Sequence, residues 1–330
     1  MPSPTRNTRN LSKPLANLTV AAMQEDKDFV GFQAAPFVDV DHQEGKYYTY
    51  SFSDWNRREM AVRGSSSESE GGSYSVSNDT YACVRKAVHK DEDWTDAADA
   101  DAAFNVAQDA SEYLSNQIRL ELDYTWQSKA MATSVWTLDW DGVGSGTPSS
   151  SEVLRWSVST SDPQSDLMKI KAAMKALIGK EPNVGVIGYN VYRHLIVNPV
   201  VRYALQYTQA TMNGVVSNKK MLADFLGLDT LIVAGGVYES AAEGATSSLA
   251  NLINTNDGWF GYVNPNPGLK KISAMYTFVW KGNEGAAQNG VIGRQFDIDE
   301  KTTTRYETEI FYDMKVVSAS CGCFIDDLTA

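Results

Sequence analysis

The side chains in this sequence that are able to do chemistry are poorly arranged for it. The three histidines, His42, His89 and His194, are scattered and show no paired-ligand spacing. Cys321-Gly322-Cys323 offers two thiols, but a tetrahedral zinc site needs two more ligands, and the third cysteine, Cys83, stands far off in sequence. Asp139-Trp140-Asp141-Gly142 has the opening of a calcium loop without the later oxygen ligands or the closing glutamate. Gly235-Gly236 lacks the spaced glycines and the lysine of a phosphate loop and reads as a turn. No nucleophile elbow, paired-histidine zinc motif, Walker loop or dinucleotide fingerprint is present. Carboxylates are plentiful, so a glycosidase-like pair stays open on counting alone, but most of them sit in runs or on polar helix faces where solvation accounts for them. Eight tryptophans and sixteen tyrosines would suit a sugar site, and suit cores and subunit contacts equally. The expectation is no catalytic residue, no cofactor and no metal.

Bulk properties narrow the class. A chain of 330 residues buries a sizeable core and accommodates two or three structural units. Its 41 acidic and 29 basic side chains give a formal net charge of -12. That balance opposes a nucleic-acid-binding surface spread over the whole protein, which would need clustered Lys and Arg. Three sparse cysteines do not make a secreted disulfide framework. No apolar run reaches the ~20 residues that span a bilayer, and the start of the sequence has no apolar signal region, so synthesis as a soluble intracellular chain is expected.

The elements that must position these side chains follow from pattern and punctuation. Residues 1–28 are polar, with Pro2, Pro4 and Pro14, and read as an extended arm held by something else or as a frayed terminus. Period-two alternation in Tyr47–Phe52 and again from Ser73 to about Lys90 predicts a long hairpin. Its tip, Arg63–Ser73, is too polar to pack a core. Two strands bury too little to stand alone, so this hairpin needs a neighbour in the same chain or in another copy, unless it is an ordinary surface hairpin. After an acidic run comes a long helix, from about Ala97 or Asp101 to Ala130, with Phe104, Ala107, Ser111, Leu114, Ile118, Leu122 and Thr125 on one stripe. At ~1.5 Å per residue it spans roughly 40 Å, suited to a structural spine. Asp139–Ser151 reads as a flexible connection. From Asp162 to Ser240 an α/β unit follows. Asp162-Pro163 caps its first helix and Gly179 ends it, Val184–Ile187 is a buried strand, and Asn198-Pro199 starts a further helix. Ser217 caps the next helix, Gly227 terminates it, and Leu231–Ala234 is a second apolar strand. Alternation returns in Ile272–Trp280 and in Tyr306–Val316, the latter long enough to lie beneath the spine helix.

The order of arm, hairpin, spine, α/β unit and returning strands resembles the major capsid proteins of tailed bacteriophages, whose fold is named after a Hong Kong phage. The sharpest local match is the pair VGVIGYNVYRHLIVNPVVRYAL and LADFLGLDTLIVAGGVYESA. The resemblance implies an α+β phage major capsid fold: N-terminal arm 1–28, extended loop 47–90, peripheral domain 29–46 and 91–161 with spine helix about 101–130, axial domain 162–300, and strands 301–330 returning to the peripheral domain. It implies many copies, as pentamers and hexamers, closing into an icosahedral shell around double-stranded DNA in a virion assembled in the host cytoplasm. A separate scaffolding protein, a portal and a decoration protein are the partners it suggests; no membrane is involved. Some family members cross-link through a loop lysine. None lies between Tyr47 and Arg85 here, so a non-covalent shell is expected. Arg57, Arg58, Glu59 and Arg63, on the projecting hairpin, are the expected inter-subunit contacts. The competing readings are an encapsulin, which has the same fold and encloses protein cargo, and a carboxylate-dependent carbohydrate-active enzyme.

Overall fold

The computed structural model describes residues 29–50, 52–95, 106–208, 219–242, 244–268, 271–282 and 290–330. The expected arm, Phe104 and the Ser217 cap lie outside the described residues. In chain order the first half holds α1 (Gly31–Ala34), β1 (Phe37–Val40), β2 (Glu44–Tyr50), α2 (Phe52–Trp55), β3 (Val76–Ala82), β4 (Val84–Asp93), α3 (Val106–Ala130), β5 (Leu138–Val143) and β6 (Glu152–Leu154). Then come α4 (Pro163–Ile178), β7 (Val184–Ile187), α5 (Tyr189–Val197), α6 (Pro199–Thr208), α7 (Lys219–Leu226), β8 (Thr230–Val233), β9 (Val237–Glu239) and β10 (Leu249–Asn251). The last strands are β11 (Gly258–Gly261), β12 (Met275–Trp280), β13 (Val291–Ile298), β14 (Thr303–Val316) and β15 (Gly322–Asp326).

Two sheets organise these elements. In the first, β14 is the axis: β13 and β4 pair with its first part, β12 with its last residues, and β1 runs parallel to β12 at the edge. The helix α3 lies across one face of this sheet. Its buried side carries Ala110, Leu114, Ile118, Leu122 and Trp126, and Leu114 packs with Tyr306 of β14. Thr125 Oγ1 and Tyr312 Oη share a hydrogen bond of 2.8 Å, and Lys129 Nζ donates to the carbonyl of Met314. The stripe expected for the spine helix is therefore the buried one, and the long strand beneath it is β14.

The second sheet has the order β6-β5-β15-β11-β7-β8 and mixes parallel with antiparallel pairs. Helix α4 packs Leu167, Ile170, Met174 and Ile178 into the same core as Val184, Val186 and Ile187 of β7. Its ends form as the residues dictate. Asp162 accepts from the amides of Gln164 and Ser165, both at 3.2 Å, and Gly179 closes the helix with φ 69. Lys171, a charged residue of the same helix, does not face solvent. It is buried, and its ammonium donates to the carbonyls of Leu226 (2.8 Å) and Gly227 (2.6 Å), satisfying the end of α7. One continuous core joins the two sheets, with Trp126 of α3 set edge-on to Trp259 of β11, ring centroids 5.7 Å apart.

Strand pairing redraws three sequence expectations. Asp139–Ser151 is not all connection, because 139–143 belong to β5. Trp140 points into the core, and the main chain of Asp327 leaves no room for a Cβ at Gly142. The return strand of the hairpin breaks at Cys83, whose side chain is buried; β3 stays with β2, while β4 leaves to pair with β14. The division at residue 300 does not follow the sheets. β12 and β13 pair with β14 in the first sheet, whereas β5, β6 and β15 all belong to the second. Apolar alternation identifies such strands without identifying their partners.

Candidate assembly surfaces

The dispersed chemistry of the sequence stays dispersed. Cys83, Cys321 and Cys323 are free and buried, and burial pushes the Cys83 thiol up to about 11. Asp139 accepts from the amide of Ser134 at 2.6 Å. One carboxylate group escaped the sequence reading: Asp257, Asp326 and Asp327 place ligand oxygens within 4.8 Å of one another. No local spacing announces it, because Asp257 precedes β11 while Asp326 ends β15 and Asp327 follows it. Burial first, and then the neighbouring acids, push Asp257 up to about 7. Its oxygens accept from Asn254 Nδ2 (2.6 Å) and the amide of Asp327 (3.1 Å), and Arg155 pairs with Asp327 at 3.0 Å. The cluster is thus a proton-holding joint between two strand ends. Asp257 is the buried member of the three.

The hairpin is the feature that the rest of the chain does not enclose. Its root is fixed to the face of the first sheet opposite α3. Tyr81 stacks on Phe278 with centroids 4.9 Å apart, Tyr47 lies 5.1 Å from the same ring, and the amide of Ala82 donates to Asp313 at 3.1 Å. Tyr81 passes so close to Gly45 that a Cβ there would lie 2.6 Å from its hydroxyl oxygen. On the same sheet face Glu309 is fully enclosed between Arg85 and Arg294. The Arg294 contact, at 2.5 Å, is an ion pair without the alignment of a hydrogen bond. Further out, Tyr50, Trp55 and Tyr74 gather into a small aromatic cluster, with Trp55 edge-on to Tyr50 at 5.7 Å. Ser75 ties the two arms by donating its amide (3.0 Å) and its hydroxyl (2.5 Å) to Asp54, which holds the Asp54 carboxyl below its usual range.

Beyond this cluster the hairpin has no cover: residues 56–80 are all exposed. The expected contact residues fall here. Arg57 pairs with Asp54 (3.6 Å) and Glu59 (3.9 Å), so the structure brings these two of the four together. Arg63 stands in a separate turn, its Nε donating to the carbonyl of Ser67 at 2.5 Å, and Arg58 is exposed. Met60 and Val62 are essentially fully exposed, at 95% and 102%.

No family model matches the sequence, and no curated protein matches it either. Solved structures do. A phage-related protein from Bordetella bronchiseptica RB50 is 18% identical, with a TM-score of 0.71 over 97% of this chain and 98% of that one. The capsid of the cyanophage P-SCSP1u is 10% identical, with a TM-score of 0.51 over 91% and 88%. The fold is that of the phage major capsid proteins. A holo-SrpI encapsulin complex from Synechococcus elongatus PCC 7942 is similar at 12% identity, with a TM-score of 0.50 over 94% and 96%. The α+β layout expected from the order of parts is the one observed.

Proposed function

We propose that this chain is a major capsid protein of a tailed bacteriophage, a structural protein whose copies assemble as pentamers and hexamers into an icosahedral shell around double-stranded DNA. The observation that carries this reading is the hairpin. Its root is clamped by Tyr47, Tyr81 and Phe278, yet residues 56–80 meet solvent throughout, with two aliphatic side chains fully exposed. A two-stranded ribbon of this length is marginal alone, and a neighbouring copy supplies the surface it lacks. In this reading residues 1–28 reach other copies, and the second sheet with α4 to α7 forms the axial domain facing the capsomer centre. The first sheet with α3 forms the peripheral domain. A separate scaffolding protein, a portal and a decoration protein are partners, assembly takes place in the host cytoplasm, and the chain does no catalysis. Its acidic balance suits a wall that does not grip packed DNA.

The similarity to an encapsulin supports a second reading, a shell around protein cargo. Electron microscopy of the protein, expressed alone and with its neighbouring genes, tests both readings. Closed shells with nuclease-protected DNA are expected. Shells filled with a cargo protein would establish the alternative, and dispersed monomers under every condition would overturn both. Assembly from this chain alone would count against a separate scaffold.

A further inference from the structure

Besides its buried side, helix α3 carries apolar side chains on a second, largely exposed face. Opposite its buried side, Asp109, Tyr113, Asn116, Leu120 and Tyr124 recur at three- and four-residue spacing. Tyr113 and Tyr124 are 47% and 58% exposed, and Leu120 between them is partly buried. A solvated helix face needs no such stripe. The described chain begins beside the helix, against Arg119 and Asp123, which lie between its buried side and this stripe. The Phe29 ring lies 5.5 Å from the Arg119 guanidinium, and the amides of Val30 and Gly31 donate to Asp123 at 3.0 and 2.7 Å. From Val30 to Phe29 the contacts on the helix change from Asp123 to Arg119, about one turn nearer the end that bears Asp109 and Glu112.

The residues that precede Phe29 match what lies ahead. Leu11, Leu15, Leu18 and Ala22 repeat with the same four-three-four spacing, and Arg6, Arg9 and Lys13 are placed farther from Phe29. Asp109 and Glu112 are exposed at the far end of the stripe. Length is sufficient: even at ~1.5 Å per residue, residues 1–28 span roughly 42 Å, against roughly 22 Å from Asp109 to Tyr124.

We propose that the Tyr113–Leu120–Tyr124 stripe seats the apolar part of the chain's own residues 1–28, Leu11 to Met23, with the arginines and Lys13 towards Asp109 and Glu112. The seat belongs to the single chain and does not depend on shell formation, which leaves the residues before Leu11 to reach another copy. The test uses Tyr113→Cys, Tyr124→Cys and, as an exposed reference on the hairpin, Tyr48→Cys, each labelled with a maleimide in dispersed full-length protein. Labelling at 113 and 124 is expected to be about tenfold slower than at 48. It should recover in a chain lacking residues 2–28 and in the full-length Leu15→Asp/Leu18→Asp variant, which covers the case where truncation disturbs folding. Equal rates with and without the segment would overturn the proposal. So would protection that appears only in assembled particles, because it would assign the stripe to a second copy while leaving the shell reading intact.

Discussion

At the scale of single residues, the unusual groups hold the fold together. Asp257 keeps its proton up to about pH 7 because it is buried beside Asp326 and Asp327. An acid whose folded pKa is raised adds stability that is full below its ordinary value of 3.8 and is lost as pH rises through about 7. In Asp257→Asn no buried charge develops. Thermal melting should find the variant close to the wild type near pH 4 and above it at pH 8, and parallel pH profiles would reject this account. Gly322 presents the opposite case, a residue chosen for what it leaves out. A Cβ there would sit 2.3 Å from a ring carbon of Trp136, and that ring is held by its indole N–H, which donates to the carbonyl of Ala130 at 2.6 Å. Gly322→Ala should cost about 1–3 kcal/mol in denaturant unfolding, the range for overpacking a filled core. Neither role shows in the sequence, since both depend on partners brought up by pairing between distant strands. Cys-Gly-Cys drew attention as half a metal motif, whereas its glycine turns out to matter through its lack of a side chain.

At the scale of elements, whatever depends on neighbouring residues was legible. The caps of α4, the Gly227 stop of α7 with φ 64, the buried strand β7 and the core stripe of α3 all follow from local side-chain chemistry. Asn198 shows how much such a joint carries. Its Oδ1 accepts from the amide of Val200 at 2.9 Å, and its Nδ2 donates to Ser161 Oγ at 3.0 Å inside the protein. Asn198→Ala loses both the helix cap and a buried bond, so a loss of about 2 kcal/mol is expected in chemical unfolding, with Asn198→Asp recovering the cap alone. What could not be read was which strand meets which. Asp139–Ser151 reads as a connection and no element is read at Val291–Ile298, yet Leu138–Val143 and Val291–Ile298 are strands whose sheet is decided by their register with β15 and β14. The third anchor of the hairpin, Phe278, lies in a strand far along the chain, so the clamp at its root was invisible while the strands themselves were not.

At the scale of the molecule, the prediction concerns association. Arg57→Glu with Arg58→Glu alters only exposed positions beyond the aromatic cluster. Circular dichroism of the monomer should be unchanged, while particle yield in sedimentation should fall about tenfold or more if a few residues carry the contact. Wild-type yield would remove these arginines from the interface. Mature particles should give a single band of this chain in denaturing gels, because no lysine lies between Tyr47 and Arg85, and a ladder would refute that. The order of hairpin, long helix and α/β unit along the chain points to the capsid fold where no motif does, because each is a weak signal by itself. One topological fact also governs timing. β15 is the inner strand that joins β5 to β11, so through residue 321 the second sheet exists only as two halves with open edges. A growing chain on the ribosome cannot close that sheet until Gly322–Asp326 has been made. Any product cut before Gly322 would therefore carry the β6-β5 pair and the β11-β7-β8 strands as two unjoined pieces, however complete the elements before them.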